Sequence, residues 1–307
     1  MTEYRAHFDA RITFLNGGSL TAEDFRLDLP SGDESEAEVG RLLIGHLGLA
    51  LVGDVTLSDL RIVAEPHRGS RGITPGTAPG QPEGEGRRLV DLSHTIRAGM
   101  VTYPGLPGPV IEPHLSRADS VAHYAAGTSF AIDTITMVGN TGTYLDSPFH
   151  RYAEGIDLAG LDLAVMADLP AEVLHVQDSS RRDVPAATFQ DRDVRGAAVL
   201  IHTGWDRHFG TPQYGQDAPF LSAAGAQYLV EAGAALVGID SVNIDDTSAA
   251  AGGSRPAHSA LLAAGIPIVE HLTNLGAVPP RGARFTAVPP RVAGFGTFPV
   301  RAFARVR

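Results

Sequence analysis

Apolar and polar residues alternate at Phe8, Ala10, Ile12 and Phe14, a period of two that predicts a half-buried strand. The Asn16–Ser19 stretch (NGGS) follows as a turn, and Phe25, Leu27 and Leu29 alternate again. Val39, Leu42, Leu43, His46 and Leu47 then fall on one face of a helix that Ser31 or Ser35 is placed to cap. Leu60, Ile62 and Val63 predict a returning strand. Residues 1–66 therefore read as a small ββαβ unit of α+β type. Over 67–87 the pattern lapses: Gly69 to Gly86 reads GSRGITPGTAPGQPEGEG, the composition of a flexible linker.

The pattern resumes in a main domain spanning 88–307. Leu89 to Leu92 begins a strand, and Phe130 to Val138 alternates strongly. Continuous apolar runs at Glu172–Val176, Ala197–His202 and Ala235–Asp240 predict strands buried on both faces. Ser222 to Gly233 suits a helix between the last two. Ser259 to Ala264 suits another, ended by Gly265 and Pro267, with a further strand at Ile266–Glu270. Buried strands with intervening helices predict an α/β architecture. No repeat period is evident.

Composition narrows the chemistry. The 307 residues carry 43% hydrophobic and 19% charged positions, as ordinary globular domains do. A net charge of −11 argues against nucleic acid or an anionic membrane as partner. All 24 basic residues are Arg, so lysine Schiff-base and P-loop chemistry are excluded. Zero Cys excludes disulfides, thiolate nucleophiles and Cys-based zinc sites. The N-terminal MTEYR lacks a signal pattern, and the longest apolar stretch, Leu42 to Gly53, is too short to span a bilayer. The expectation is a soluble, cytoplasmic protein.

The densest chemistry lies at residues 140–150, NTGTYLDSPFH. Gly142 frees the backbone and Pro148 fixes it, so the polar side chains point in defined directions. This stretch resembles the H-x-G-T-H-x-D-x-P-x-H signature of the cyclase family of metal-dependent hydrolases, which includes bacterial kynurenine formamidases and isatin hydrolases. Gly142, Thr143, Asp146, Pro148 and His150 are identical to it; Asn140 and Tyr144 replace its first two histidines. The resemblance runs over roughly 88–304. It takes in DLSH at 91–94, YPG at 103–105, Gly204-Trp205, and GID at 238–240 followed by Asp245. HSALL at 258–262 and VEHLTNL at 269–275 extend it, while the N-terminal segment lies outside.

The resemblance implies a mixed-sheet swivelling β/β/α fold and a hydrolase acting on an amide, lactone or ester carbonyl of a small-molecule substrate; a homo-oligomer is expected. By position it assigns Asp146, His258 and Glu270 to a metal and His150 to acid/base catalysis. The two imidazoles that would complete a second metal site are replaced by an amide and a phenol, which are poor ligands for zinc. At most one divalent ion, zinc or manganese, is therefore expected, or none. Tyr144 becomes a candidate for proton transfer beside His150. Asn140, Phe149 and Trp205 become candidates for substrate contact. Two alternatives remain at this stage: a metal-free cyclase or lyase, and a non-catalytic binder with a degenerate site.

Other features carry less. The ten remaining histidines, His271 among them, fall outside the matched positions and read as surface or hydrogen-bonded core residues. Asp240, Asp245 and Asp246 lack EF-hand spacing and are expected to order loops behind the site. Gly294-Phe295-Gly296 lacks the third glycine and the helix of a dinucleotide site.

Overall fold

In a computed structural model the chain forms two compact units, Met1–Pro82 and Glu83–Arg307. The structure describes residues 2–15, 17–47, 49, 52–66 and 88–306. The Gly/Pro-rich linker read at 67–87 lies outside the described residues.

The first unit contains β1 (Thr2–Phe14), β2 (Ser19–Leu29), α1 (Glu36–Leu47) and β3 (Val52–Pro66). Its antiparallel sheet has the order β2-β1-β3. Ala6, Phe8, Ala10 and Ile12 of β1 form its core with Val39 and Leu43 of α1. Ser35 begins the helix: its hydroxyl donates to Glu38 Oε2 at 2.7 Å, and its N–H reaches the same oxygen at 2.9 Å.

The second unit contains β4 (Arg88–Asp91), β5 (Val110–Leu115), α2 (Arg117–Ser120), β6 (Ile132–Thr136), β7 (Tyr144–Asp146), β8 (Leu169–His175), β9 (Asp183–Val184) and β10 (Ala198–His202). After these come β11 (Phe220–Leu221), α3 (Ala223–Ala232), β12 (Leu236–Ile239), α4 (Pro256–Ala263), β13 (Ile268–Glu270), β14 (Ala283–Thr286), β15 (Thr297–Pro299) and β16 (Phe303–Val306). Nine strands form one mixed sheet, in the order β15-β7-β13-β12-β10-β8-β14-β16-β4. Its centre, β13-β12-β10-β8, is parallel, and antiparallel strands flank it on both sides. This is the α/β architecture expected from the buried apolar runs. One core on the sheet gathers Leu145, Val173, Leu200, Val269 and Phe285; another gathers Ile201, Ile239, Leu229 of α3 and Leu261 of α4.

One boundary and three strands differ from the pattern. The helix read from Ser259 starts at Pro256, whose missing N–H and fixed φ suit a first helical position. Strands β14, β15 and β16 were not anticipated, because each is only three or four residues long, too short for a period of two to stand out.

Candidate active site

Strand register assembles the site. Tyr144 and Asp146 lie two apart on β7 and so share a face of the sheet. Opposite Tyr144 stand Glu270 on β13 and Pro299 on β15; opposite Asp146 stand Ile268 and Thr297. One short strand thereby sets a phenol beside one carboxylate and a second carboxylate beside a hydroxyl. The loop leaving β7 returns His150 to the same place. Gly142, at φ +66°, makes the turn entering β7. Gly296 lets β15 approach the loop after β7: a Cβ there would sit 2.6 Å from His150 Cα.

His258 arrives on α4. The backbone N–H groups of Ala257 and His258 donate to the Asp245 carboxylate at 2.6 and 3.0 Å. The same carboxylate binds His258 Nδ1 at 2.7 Å. Asp245 thus caps the helix and orients the imidazole at once, so that Nε2 faces Asp146 Oδ2 and Glu270 Oε1, each 3.7 Å away. Asp146 is fully buried, and its Oδ2 has no hydrogen-bond partner among the described residues. Burial works against a charged His258, but Glu270, Asp146 and Asp245 outweigh it and raise the imidazole to about 10. Burial first, and then the Asp146 charge, push the Glu270 carboxyl above its ordinary range, while the His258 charge pulls it back down. Such a pocket favours a cation at its centre.

Hydroxyl groups set the direction of the remaining bonds. Thr297 Oγ1 donates its single proton to Asp146 Oδ1, so its contact with His150 Nδ1 at 2.7 Å is one it accepts. That direction assigns the His150 proton to Nδ1, so that in the neutral ring Nε2 carries the lone pair. The Tyr144 hydroxyl donates to Glu270 Oε2 at 2.6 Å and lies near the Asn140 side chain. Burial, then the Glu270 and Asp146 charges, hold the phenol well above its ordinary value, so Tyr144 stays protonated.

A cavity of about 350 Å³ opens onto these groups. Tyr103, Pro104, Gly105 and Leu106 line one part, and Asn140, Tyr144, His150, Asn243, His258 and Glu270 the rest. Asn140, Tyr144, Asp146, His150, His258 and Glu270 are thus brought together. Phe149 and Trp205 are not in the lining. Trp205 donates from Nε1 to the Tyr214 carbonyl at 2.9 Å and borders a different cleft with Arg181 and Arg207.

Asp146, His150 and His258 each offer a ligand atom within 4.8 Å of the others, a second donor set overlapping the one with Glu270. Ligand atoms about 2 Å from a shared zinc ion lie roughly 3–4 Å apart, which the 3.7 Å spacings meet. The orphaned Asp146 Oδ2, and an imidazole whose outer nitrogen is clamped by a carboxylate, fit such an ion. Sequence reasoning missed Thr297, His271 and the specific part of Asp245. Only Asp245 left a signal there, in its position after Gly238–Asp240.

The mixed sheet and the buried carboxylate–imidazole cluster define an α/β hydrolytic enzyme with room for a metal. The Cyclase family model, described as "Putative cyclase", matches residues 90–246. A kynurenine formamidase of Geobacillus thermodenitrificans is 30% identical over 218 residues, which cover 70% of this chain and 96% of that protein. One from Bacillus cytotoxicus is 28% identical over 184 residues, covering 60% and 81%. Among solved structures, isatin hydrolase A from Ralstonia solanacearum superposes with a TM-score of 0.61 at 22% identity, covering 72% of this chain and 92% of that one. A potential metal-dependent hydrolase with cyclase activity gives 0.58 at 22% identity, covering 72% and 98%. The chain belongs to the cyclase family of hydrolases.

Proposed function

We propose that the protein hydrolyses an amide or closely related carbonyl of a small molecule, with one divalent ion, zinc or manganese, held by Asp146, His258 and Glu270. The observation that carries this reading is the buried, unpartnered Asp146 Oδ2 facing His258 Nε2. When bound, the ion supplies Lewis-acid polarisation of the scissile carbonyl. His150 Nε2 takes the proton of the attacking water and returns it to the leaving nitrogen or oxygen. Thr297 keeps that nitrogen free by holding the other. Asn140 and Asn243 offer amide donors and acceptors to the substrate, and the Tyr103–Leu106 wall excludes water from one side. The names of the formamidase and isatin hydrolase relatives support an amide or cyclic amide as the bond broken.

Elemental analysis of protein purified without chelator, paired with assays on an N-formylated aromatic amine and on isatin, tests this. The wild type is expected to hold no more than one ion per chain and to turn over one of these substrate types. His150→Ala should keep the ion and lose turnover by about 10²–10⁴-fold. Glu270→Gln should lose both. An ion that survives Glu270→Gln but not His150→Ala would make His150 the ligand. Metal-loaded protein inactive on every amide, lactone and ester tried would refute hydrolysis.

A further inference from the structure

Beyond the carboxyl ends of β8 and β10 lies a second cavity, of about 200 Å³. The two strands are adjacent and parallel, and crevices at this end of such sheets commonly take small ligands. Val176 follows β8 into its wall, and Thr203 and Trp205 follow β10. Val184, which ends β9, and Pro219, just before β11, close another part. Strands β9 and β11 pair with each other, so that wall is braced. No residue of this cavity also lines the one at Tyr144, His150 and His258.

Three guanidinium groups border the cavity, and their partners decide which can take a ligand. Arg181 is held twice by Asp183, from Nε at 3.0 Å and from Nη2 at 2.7 Å. Arg182 is committed to Asp246 at 2.9 Å and to the Ala218 carbonyl at 3.1 Å, with Asp217 4.0 Å from its Nη1. Arg207 makes no ion pair among the described residues. Its Nη1 donates to the Gly204 carbonyl at 2.9 Å and its Nε to His208 Nε2 at 3.1 Å, while Nη2 has no partner among them. These bonds hold the guanidinium over the Trp205 ring, 5.9 Å from its centroid. A chain of net charge −11 thus keeps one positioned cation, paired with no carboxylate, beside a cavity walled by Val176, Val184 and Pro219.

We propose that this cavity binds a small monocarboxylate with a compact apolar body, its carboxylate group on Arg207. Guanidinium–carboxylate bonds are charge-assisted, and Nη2 is the donor left to make one. The apolar walls suit the rest of the molecule. The volume lies below the roughly 300–1,000 Å³ of sites for drug-sized ligands, which limits the guest to a small one. Charge selects against a polyanion: Asp183 and Asp217 also border the cavity, so a phosphate would meet one available cation and two carboxylates.

Titration of the full chain with benzoate, followed by Trp205 fluorescence and by calorimetry, tests this. Trp205 is the single Trp of the chain, and its bond to the Tyr214 carbonyl holds the indole in place, so its emission reports on this cavity. The wild type is expected to bind benzoate saturably. Benzamide, which is uncharged, and inorganic phosphate, which has no apolar body, should each bind at least tenfold more weakly. Arg207→Gln should weaken benzoate binding about tenfold or more, the loss of a hydrogen bond to a charged group. Arg301→Gln removes a cation elsewhere on this unit and should leave binding unchanged. Circular dichroism checks the fold; should Arg207→Gln misfold, Ser180→Phe, which fills the cavity from its border, carries the same reading. The proposal is overturned by no saturable binding in either measurement, by binding indifferent to Arg207→Gln, or by an equal loss in Arg301→Gln. Benzamide or phosphate bound as tightly as benzoate would overturn it too.

Discussion

The hydroxyl of Tyr144 donates to Glu270 Oε2 at 2.6 Å, and the two residues face each other across paired strands. That proton is spent on the carboxylate, so the phenolic oxygen can only accept from His271 Nε2, 3.2 Å away. His271 Nδ1 must in turn accept from the Tyr214 hydroxyl at 2.9 Å. Burial first, then repulsion from His94, depress His271 to about 3, so it works as a neutral link. A chain of neutral donors therefore runs toward Glu270 from the side where the family signature has an imidazole.

Removing the first donor of that chain should be felt in the fold. Tyr144→Phe keeps the ring but leaves Glu270 Oε2 and His271 Nε2 without their shared partner. Hydrogen bonds to buried charged groups contribute about 1.5–3 kcal/mol, so urea unfolding should show a loss of that size. An unchanged midpoint would mean that water replaces the hydroxyl. The paired variant Asn140→His, Tyr144→His, which restores the signature, is expected instead to raise metal content in elemental analysis.

Thr297 separates positioning from bulk. Thr297→Val preserves shape but removes the hydroxyl that fixes the proton of His150 on Nδ1. Turnover should fall at least tenfold with substrate affinity little changed, since only the active tautomer becomes scarcer. Thr297→Ser should recover most of the rate. Equal losses in the two variants would show that the methyl group, not the hydroxyl, matters. Nitrogen chemical shifts of His150 report the tautomer directly and would not move for a purely structural defect.

Asp245 joins helix capping to imidazole orientation, and Asp245→Asn should expose both. The cap contributes about 1–2 kcal/mol to stability. Losing a carboxylate behind a ligating histidine lowers metal affinity about 10–100-fold. Metal titration followed by calorimetry reads the second effect apart from the first. Weakened folding with undiminished affinity would remove His258 from the ligand set.

The sheet centre was legible because Val173, Leu200 and Val237 sit in runs buried on both faces, a pattern that needs no knowledge of partners. Helix α3 was legible from its ends, with Ser222 accepting from Gly225 N–H and Gly233 in the left-handed region. The motif loop placed Asp146 and His150 near one another, but nothing local to it shows that β15 runs alongside. Thr297 is 151 residues from Asp146, and only the strand register makes them neighbours. His271 is the hydrogen-bonded core residue its position allowed, but its link to Tyr144 had no local signal. It follows Glu270 in sequence, yet its left-handed backbone, at φ 57°, turns the ring into a buried contact with Tyr214. Trp205 looked like a pocket residue from its neighbours in sequence, whereas its indole is held by Tyr214 outside the cavity lining.

His94 gives a pH dependence whose sign can be isolated. Its ring stacks on Phe209 with centroids 3.6 Å apart, and its Nε2 is buried without a hydrogen-bond partner among the described residues. Burial depresses it to about 4, while Asp206 pulls weakly the other way. Between its ordinary value near 6.5 and about 4, the unfolded chain binds a proton that the folded chain refuses. Acidification through that window therefore favours unfolding; above it His94 is neutral in both states and contributes no slope. Other buried groups titrate over the same range, so the comparison to make is with His94→Phe, which keeps the stack on Phe209 and removes the proton site. The stability of the variant minus that of the wild type, from urea unfolding at several pH values, should be constant above about 7 and rise steadily as pH falls toward 4. A difference that stays flat across the window would mean that His94 accepts its proton without leaving the stack.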